Sequence, residues 1–171
     1  TALRFSRDGS LLVSGGRDGD VVIWDVAGET GIVRLRGHRD QITDCAFLED
    51  ERYTQSAMTI GRQVVTTSKD GFVKVWDVEK RACVQTCTGF DGETWSLDVN
   101  PSQTRCAIVT GDDKIHVFDC DHTREGFDDE SPLVRMGTVT RSMKGRAMTA
   151  RYHASGNYLG VQGIGRGMEI Y

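Results

Sequence analysis

The chain has 171 residues, 38% of them hydrophobic and 27% charged, with a formal net charge of −4. That balance fits a soluble globular protein, and no apolar run approaches the ~18 residues that would suggest a membrane span. No basic segment followed by an apolar one marks a secretory signal, and the five cysteines (Cys45, Cys83, Cys87, Cys106, Cys120) follow neither disulfide nor zinc spacing. Reduced thiols, no metal, no cofactor and no membrane are therefore expected.

The chain starts within one strand-like stretch (2–5) and stops within another (168–171), which reads as a piece of a longer polypeptide. A turn at Ser6-Arg7-Asp8-Gly9-Ser10 follows the first stretch, because Asp-Gly supplies the positive φ that tight hairpins need. Strands are expected at 11–14, 21–24 and 31–36, with a second tight turn at Arg17-Asp18-Gly19. Val21-Val22-Ile23-Trp24 is apolar on both faces and should be covered from both sides. The next strands fall at 42–47, 63–67, 72–76 and 83–88, with a long loop over 48–61 whose start is highly charged. Further strands are expected at 94–99, 105–110 and 114–118, followed by a polar connection over 120–131. The last are 147–152, 158–162 and 168–171. Two prolines, twenty glycines and period-two alternation leave almost no support for helices.

These strands repeat. Gly37-His38, then Lys69-Asp70-Gly71, then Trp76-Asp77 form one unit, with Asp70 six residues before Trp76. Asp18 stands at the same offset from Trp24, and Asp112 from Phe118. The third-strand aromatics Trp24, Trp76, Phe118 and Tyr171 are 52, 42 and 53 residues apart. This pattern resembles the WD40 repeat, in which each unit is one four-stranded blade of a β-propeller. The resemblance implies an all-β WD40 β-propeller fragment of about four blades: 1–36, 37–88, 89–140 and 141–171. They would be an arc of a larger ring, seven blades being the usual number in that family.

His38, Thr66 and Asp70 offer an imidazole, a hydroxyl and a carboxylate, as a catalytic triad would. The structural alternative outweighs it: with Trp76 they would form a buried tetrad in which every polar group is satisfied. Ser14, Asp18 and Trp24 are the corresponding residues of blade one. In blade three Phe90 stands for histidine, and a shorter turn is expected to put Ile108 at the hydroxyl position. Blade four has Val161 and Gly165 at the hydroxyl and carboxylate positions. Blades three and four should thus rely on apolar packing. The glycine run from Gly160 to Gly167 lacks phosphate-loop spacing and reads as blade four's degenerate turn. No catalytic residue and no enzymatic activity are expected.

Binding is the expectation instead. Arg17, Arg39, Gln41, Lys69 and Trp95 should lie on the rim of the top face, where Trp and Arg are frequent anchors. From residue 133 onward six basic residues face one acid, whereas the rest of the chain carries fifteen against twenty-four. Arg141, Lys144 and Arg146 are therefore candidate contacts to RNA phosphates.

Two stretches are similar to something narrower. They are 18–47 (DGDVVIWDVAGETGIVRLRGHRDQITDCAF) and 134–171, with Gly92-Glu93-Thr94-Trp95 between them. They resemble the first propeller of the WD-repeat protein 3 (Dom34-interacting protein 2) family. That family is a subunit of the UTP-B subcomplex of the small-subunit processome. The resemblance implies a non-enzymatic nucleolar scaffold in ribosome biogenesis. Its partners would be other WD-repeat proteins of UTP-B, U3 snoRNA and the 5′ external transcribed spacer of pre-rRNA during 18S rRNA maturation. The short 120–131 connection and Gly163-Ile164-Gly165-Arg166-Gly167 depart from the family pattern. The alternative is a protein-interaction adaptor of another kind, such as a ubiquitin-ligase substrate receptor.

Overall fold

The structure is a computed structural model, and it describes residues 1–49, 62–126, 128, 130–142, 145–164 and 167–171. Most of the charged 48–61 loop lies outside the described residues, as do Lys144, Gly165 and Arg166.

The described residues form fifteen strands in four antiparallel sheets, and no helix among them. Sheet one holds β1 (Ala2–Phe5), β2 (Leu11–Gly15), β3 (Val21–Asp25) and β4 (Thr30–Leu35). Sheet two holds β5 (Ile42–Glu49), β6 (Arg62–Ser68), β7 (Val73–Asp77) and β8 (Ala82–Cys87). Sheet three holds β9 (Thr94–Val99), β10 (Arg105–Thr110), β11 (Lys114–Asp119) and β12 (Val134–Thr140). Sheet four holds β13 (Ala147–Tyr152), β14 (Leu159–Gly163) and β15 (Met168–Ile170). Each sheet runs in chain order from an inner strand outward. The inner strands β1, β5, β9 and β13 lie side by side in sequence. This is an all-β arc of four propeller blades.

Why the sheets stack follows from their burial patterns. Alternation in β2 buries Leu11, Val13 and Gly15 on one face, and a sheet with one apolar face must cover it. The core is accordingly three layers between blades rather than one centre. Val13, Ile23 and Leu35 of blade one meet Ile42, Phe47 and Trp76 of blade two. Val65 and Val75 meet Leu97, Ile108 and Phe118 in the next layer, and Ala107, Val109 and Ile115 meet Ala150 and Val161 in the last. The layers are tight: a Cβ on Gly15 would overlap the side chain of Ile42. The Asp-Gly turns hold positive φ at Gly9, Gly19 and Gly71 (73°, 82° and 80°), the region where glycine is favoured.

Four details differ from the sequence reading. Strand β3 is not covered on both faces: Trp24 is 38% exposed, against 1% for Trp76. No other described sheet lies against that face of blade one. The first strand of blade two continues through Leu48 and Glu49, which pair with Gln63 and Arg62. The turn of blade three is no shorter than that of blade two, since Thr66 pairs with Lys74 and Ile108 with His116, eight residues apart in each case. Finally, β12 is a full outer strand that alternation did not reveal, because Gly137 and the inward Arg135 interrupt its apolar pattern.

Candidate interaction site

Blade two carries the complete polar tetrad. His38 Nδ1 lies 2.8 Å from Asp70 Oδ2, and His38 Nε2 lies 2.8 Å from Thr66 Oγ1. The Trp76 indole N–H donates to the same hydroxyl oxygen at 2.8 Å. Backbone N–H groups of Arg39 and Phe72 donate to the Asp70 carboxylate at 2.9 and 3.0 Å. The pattern closes with a neutral imidazole: Nδ1–H donates to Asp70 and Thr66 O–H donates to Nε2. Burial lowers the His38 pKa, outweighing the opposing effect of its hydrogen bond to Asp70. Burial alone would raise Asp70, but the N–H of Arg39, His38 and the N–H of Phe72 together hold it below its usual value. The side chains of His38 and Asp70 are 0% and 5% exposed, so a substrate has no path to them. The arrangement ties the chain entering the blade to its second and third strands.

The other blades make that tie differently. In blade one Trp24 N–H donates to Ser14 Oγ at 2.8 Å, while Asp18 turns out to Arg34 and to the backbone N–H of Asp20. Blade three moves its imidazole to the third strand. His116 contacts Thr138 Oγ1 at 3.1 Å and Thr110 Oγ1 at 3.4 Å, and packs edge-on against Phe90 at 4.9 Å. Thr110 also donates to Asp112, which pairs with Lys114 at 2.9 Å. In blade four Arg141 Nε donates to Glu169 Oε2 at 2.7 Å and Arg141 Nη1 to Gly145 O at 2.7 Å. Ser142 adds a 2.6 Å bond to the same carboxylate. Blades three and four therefore do not rest on apolar packing alone, contrary to the sequence reading. Glu169 and His116 occupy the strand position that Lys74 holds in blade two.

This also corrects Arg141 as a phosphate contact. Its side chain is 2% exposed and sealed against Glu169, so its charge is spent inside the blade. Lys144 lies outside the described residues. Arg146 remains at the surface, 47% exposed.

The rim residues do converge in part. Trp95, at the start of β9, is half-buried. Lys69 Nζ sits 5.1 Å and the Arg146 guanidinium 4.8 Å from its ring centroid. The three come from turns and strand ends of blades two, three and four. Stacking of this kind fixes two long cationic side chains that would otherwise be mobile. Arg146 also reaches Glu93 at 3.7 Å. The Trp95 indole N–H has no hydrogen-bond partner among the described residues. Arg17 and Arg39 are exposed and Gln41 is half-buried, its backbone carbonyl accepting from the Lys69 N–H at 3.0 Å.

Sequence reasoning missed a second cluster, on the inner strands. Asp44 accepts from Ser96 Oγ at 2.7 Å and lies 3.1 Å from Arg151 Nη1. Arg4 pairs with Asp98 at 3.3 Å, and Asp98 accepts from the Tyr152 N–H at 2.7 Å. Burial lifts the Asp98 carboxyl above its ordinary value. The signal was a charged residue in the body of each inner strand (Arg4, Asp44, Asp98 and Arg151), where an apolar core strand would carry none. These pairs link all four blades across the centre of the arc. Among the described residues no cluster of His, Cys, Asp and Glu could hold a metal ion, and no helix is long and apolar enough to cross a membrane. All five cysteines are free, with only Cys83 exposed.

Comparison with known proteins agrees with this geometry. The family described as "WD domain, G-beta repeat" matches residues 1–25 and 30–77, which fall in blades one and two. The chain is 35% identical over 109 residues to nuclear distribution protein PAC1 of Arthroderma otae, covering 63% of the chain and 23% of that protein. It is 25% identical over 132 residues to the ribosome biogenesis protein WDR12 homolog of Trichoplax adhaerens, covering 75% and 28%. It is 24% identical over all 171 residues to pre-mRNA-processing factor 19 homolog 2 of Arabidopsis thaliana, 29% of that protein. The chain thus spans less than a third of the length of these relatives.

Proposed function

We propose that this chain is the interaction arc of a non-enzymatic WD40 scaffold in ribosome biogenesis, acting in the nucleolus as part of the small-subunit processome. The observation that carries the interaction reading is the Lys69–Trp95–Arg146 cluster, which presents two preorganised cations around one aromatic ring. An imidazole, hydroxyl and carboxylate buried away from solvent leave binding as the chemistry this arc can offer. The ribosomal assignment is supported by the resemblance of 18–47 and 134–171 to the WD-repeat protein 3 family. Similarity to a protein named for ribosome biogenesis adds to it. On this reading the protein partners are sister WD-repeat subunits of UTP-B, and the RNA partners are U3 snoRNA and the 5′ external transcribed spacer. Any phosphate contact from this arc falls to Arg146 rather than Arg141.

Similarity to nuclear distribution proteins favours a second reading, an adaptor for other protein assemblies, such as a ubiquitin-ligase substrate receptor. One experiment separates the two. The tagged polypeptide is purified from its own cells after crosslinking, and the bound RNA is sequenced. Enrichment of U3 RNA together with WD-repeat processome subunits supports the first reading. Ligase subunits without U3 RNA overturn it in favour of the second.

A further inference from the structure

Trp95 stands where three blades meet. It lies in β9, and the inner strands on either side, β5 and β13, both pack against β9. Its two cations come from those neighbouring blades: Lys69 follows β6 and Arg146 precedes β13. The cluster is thus bounded on both sides by described blades. Its cations are only loosely committed. No carboxylate pairs with Lys69 among the described residues, so the ring alone steadies its charge. Arg146 has the 3.7 Å pairing with Glu93, in which the two side chains are 47% and 38% exposed. A pair so exposed holds its partners weakly.

Two turns flank Trp95, and both are acidic. The first is Asp91-Gly92-Glu93, just before β9. A Cβ on Gly71 would lie 3.1 Å from the Gly92 carbonyl oxygen, so this turn sits against the Lys69-Asp70-Gly71 turn. The second is Gly111-Asp112-Asp113. The Gly111 N–H donates to Glu93 O at 2.9 Å, and a Cβ there would stand 3.5 Å from the Trp95 indole nitrogen. Together they bring four carboxylates against one further surface cation, Lys114, which pairs with Asp91 and Asp112 at 2.7 and 2.9 Å. Buried Arg141 reaches Asp113 only at 3.7 Å. The side chains of Asp91, Glu93 and Asp113 stay 78%, 38% and 37% exposed. Two cations on an aromatic ring therefore lie inside a collar of acids.

We infer that the Lys69–Trp95–Arg146 cluster takes a single acidic side chain of a partner polypeptide, flanked in that partner by lysine or arginine, and that it turns away the phosphate backbone of a nucleic acid. One carboxylate at the centre meets two cations, and the flanking cations then meet Asp91, Glu93 and Asp113. A run of phosphates would set its further charges against those same acids, and like charges across an interface select against the wrong partner. This inference rests on the interaction reading and narrows it: the occupant of the cluster is a protein segment. A phosphate contact at Arg146 is the competing outcome of the test.

The test follows the Trp95 indole resonance of the isotope-labelled chain at low salt, where exposed charges are least screened. The probes are three blocked glycine-serine peptides and a short oligouridine. The first peptide carries Lys-Gly-Glu-Gly-Lys at its centre, the second Lys-Gly-Gln-Gly-Lys and the third Glu-Gly-Glu-Gly-Glu. At millimolar concentration the first should shift the resonance and bind roughly two- to fivefold tighter than either of the others, the scale of one exposed charge pair. The RNA should leave it unmoved. Lys69→Gln with Arg146→Gln should erase the preference for glutamate over glutamine. Asp91→Asn with Glu93→Gln should erase the preference over the all-acidic peptide and admit the RNA. None of these four side chains is buried, so the fold should be kept, and a thermal melt checks it. No shift with the first peptide, no preference among the three, or RNA binding at Trp95 as tight as the first peptide overturns the inference. The interaction reading is judged separately, by whether the Lys69→Gln, Arg146→Gln variant loses partners in cells. Partners lost there without any charge preference among the peptides defeat this inference alone.

Discussion

At the scale of single residues, two buried polar devices carry distinct predictions. Asp70→Ala orphans the His38 Nδ1–H and the Arg39 N–H, and should cost about 1–3 kcal/mol. A thermal melt indistinguishable from wild type would contradict the tetrad's role. The pH dependence has a defined sign. His38 has a folded pKa below its ordinary 6.5, so the unfolded chain binds the proton more readily. The tetrad's contribution is complete above about pH 6.5 and is lost as pH falls through that value toward the folded pKa. Melting temperature should therefore drop between pH 7 and pH 5, and less so in His38→Gln. Arg141 gives the second prediction. Arg141→Ala leaves the buried Glu169 carboxylate its Ser142 hydrogen bond but no cation, and should cost about 3–5 kcal/mol. Arg141→Met with Glu169→Leu should recover most of that in chemical denaturation, whereas a surface arginine would change little in either variant. Spacing within a hairpin is local, which is why Asp70 and Trp76 could be singled out from sequence. The Arg141–Glu169 pair spans 28 residues, and nothing local distinguishes a buried arginine from a phosphate-binding one.

At the scale of elements, the blade is the unit, and the layer between blades holds the energy. Gly15 and Ile42 touch across the first layer, where Gly15→Ala should overpack and cost about 1–3 kcal/mol. Ile42→Ala in the same molecule should relieve part of it, and a double-mutant cycle with zero coupling would contradict direct packing. The all-β class and the four units were legible because strand alternation and the recurring aspartate-to-aromatic offset are properties of contiguous residues. Strand β12 was hidden for the opposite reason. Its Arg135 and its central Gly137 interrupt the apolar alternation that marks the other outer strands. The central network was hidden too, since Asp44, Ser96 and Arg151 lie on three different blades.

At the scale of the whole molecule, one face of blade four has no neighbour among the described residues. Tyr158, Met168 and Ile170 are 57%, 64% and 65% exposed there, an apolar surface of the kind that promotes association. Met168→Lys combined with Ile170→Lys should reduce concentration-dependent association of the isolated chain in sedimentation, with little change in melting temperature. The rim lies elsewhere on the arc and should be unaffected. The central claim is that the arc binds partners through the Lys69–Trp95–Arg146 cluster as part of a ribosome-assembly scaffold. The most direct measurement is quantitative affinity purification of the tagged polypeptide from its own cells, comparing wild type with the Lys69→Gln, Arg146→Gln double variant. The account predicts an unchanged melt for the variant, U3 RNA and WD-repeat subunits enriched with wild type, and their loss with the variant. An identical partner set in both, or a wild-type set lacking U3 RNA, would contradict it.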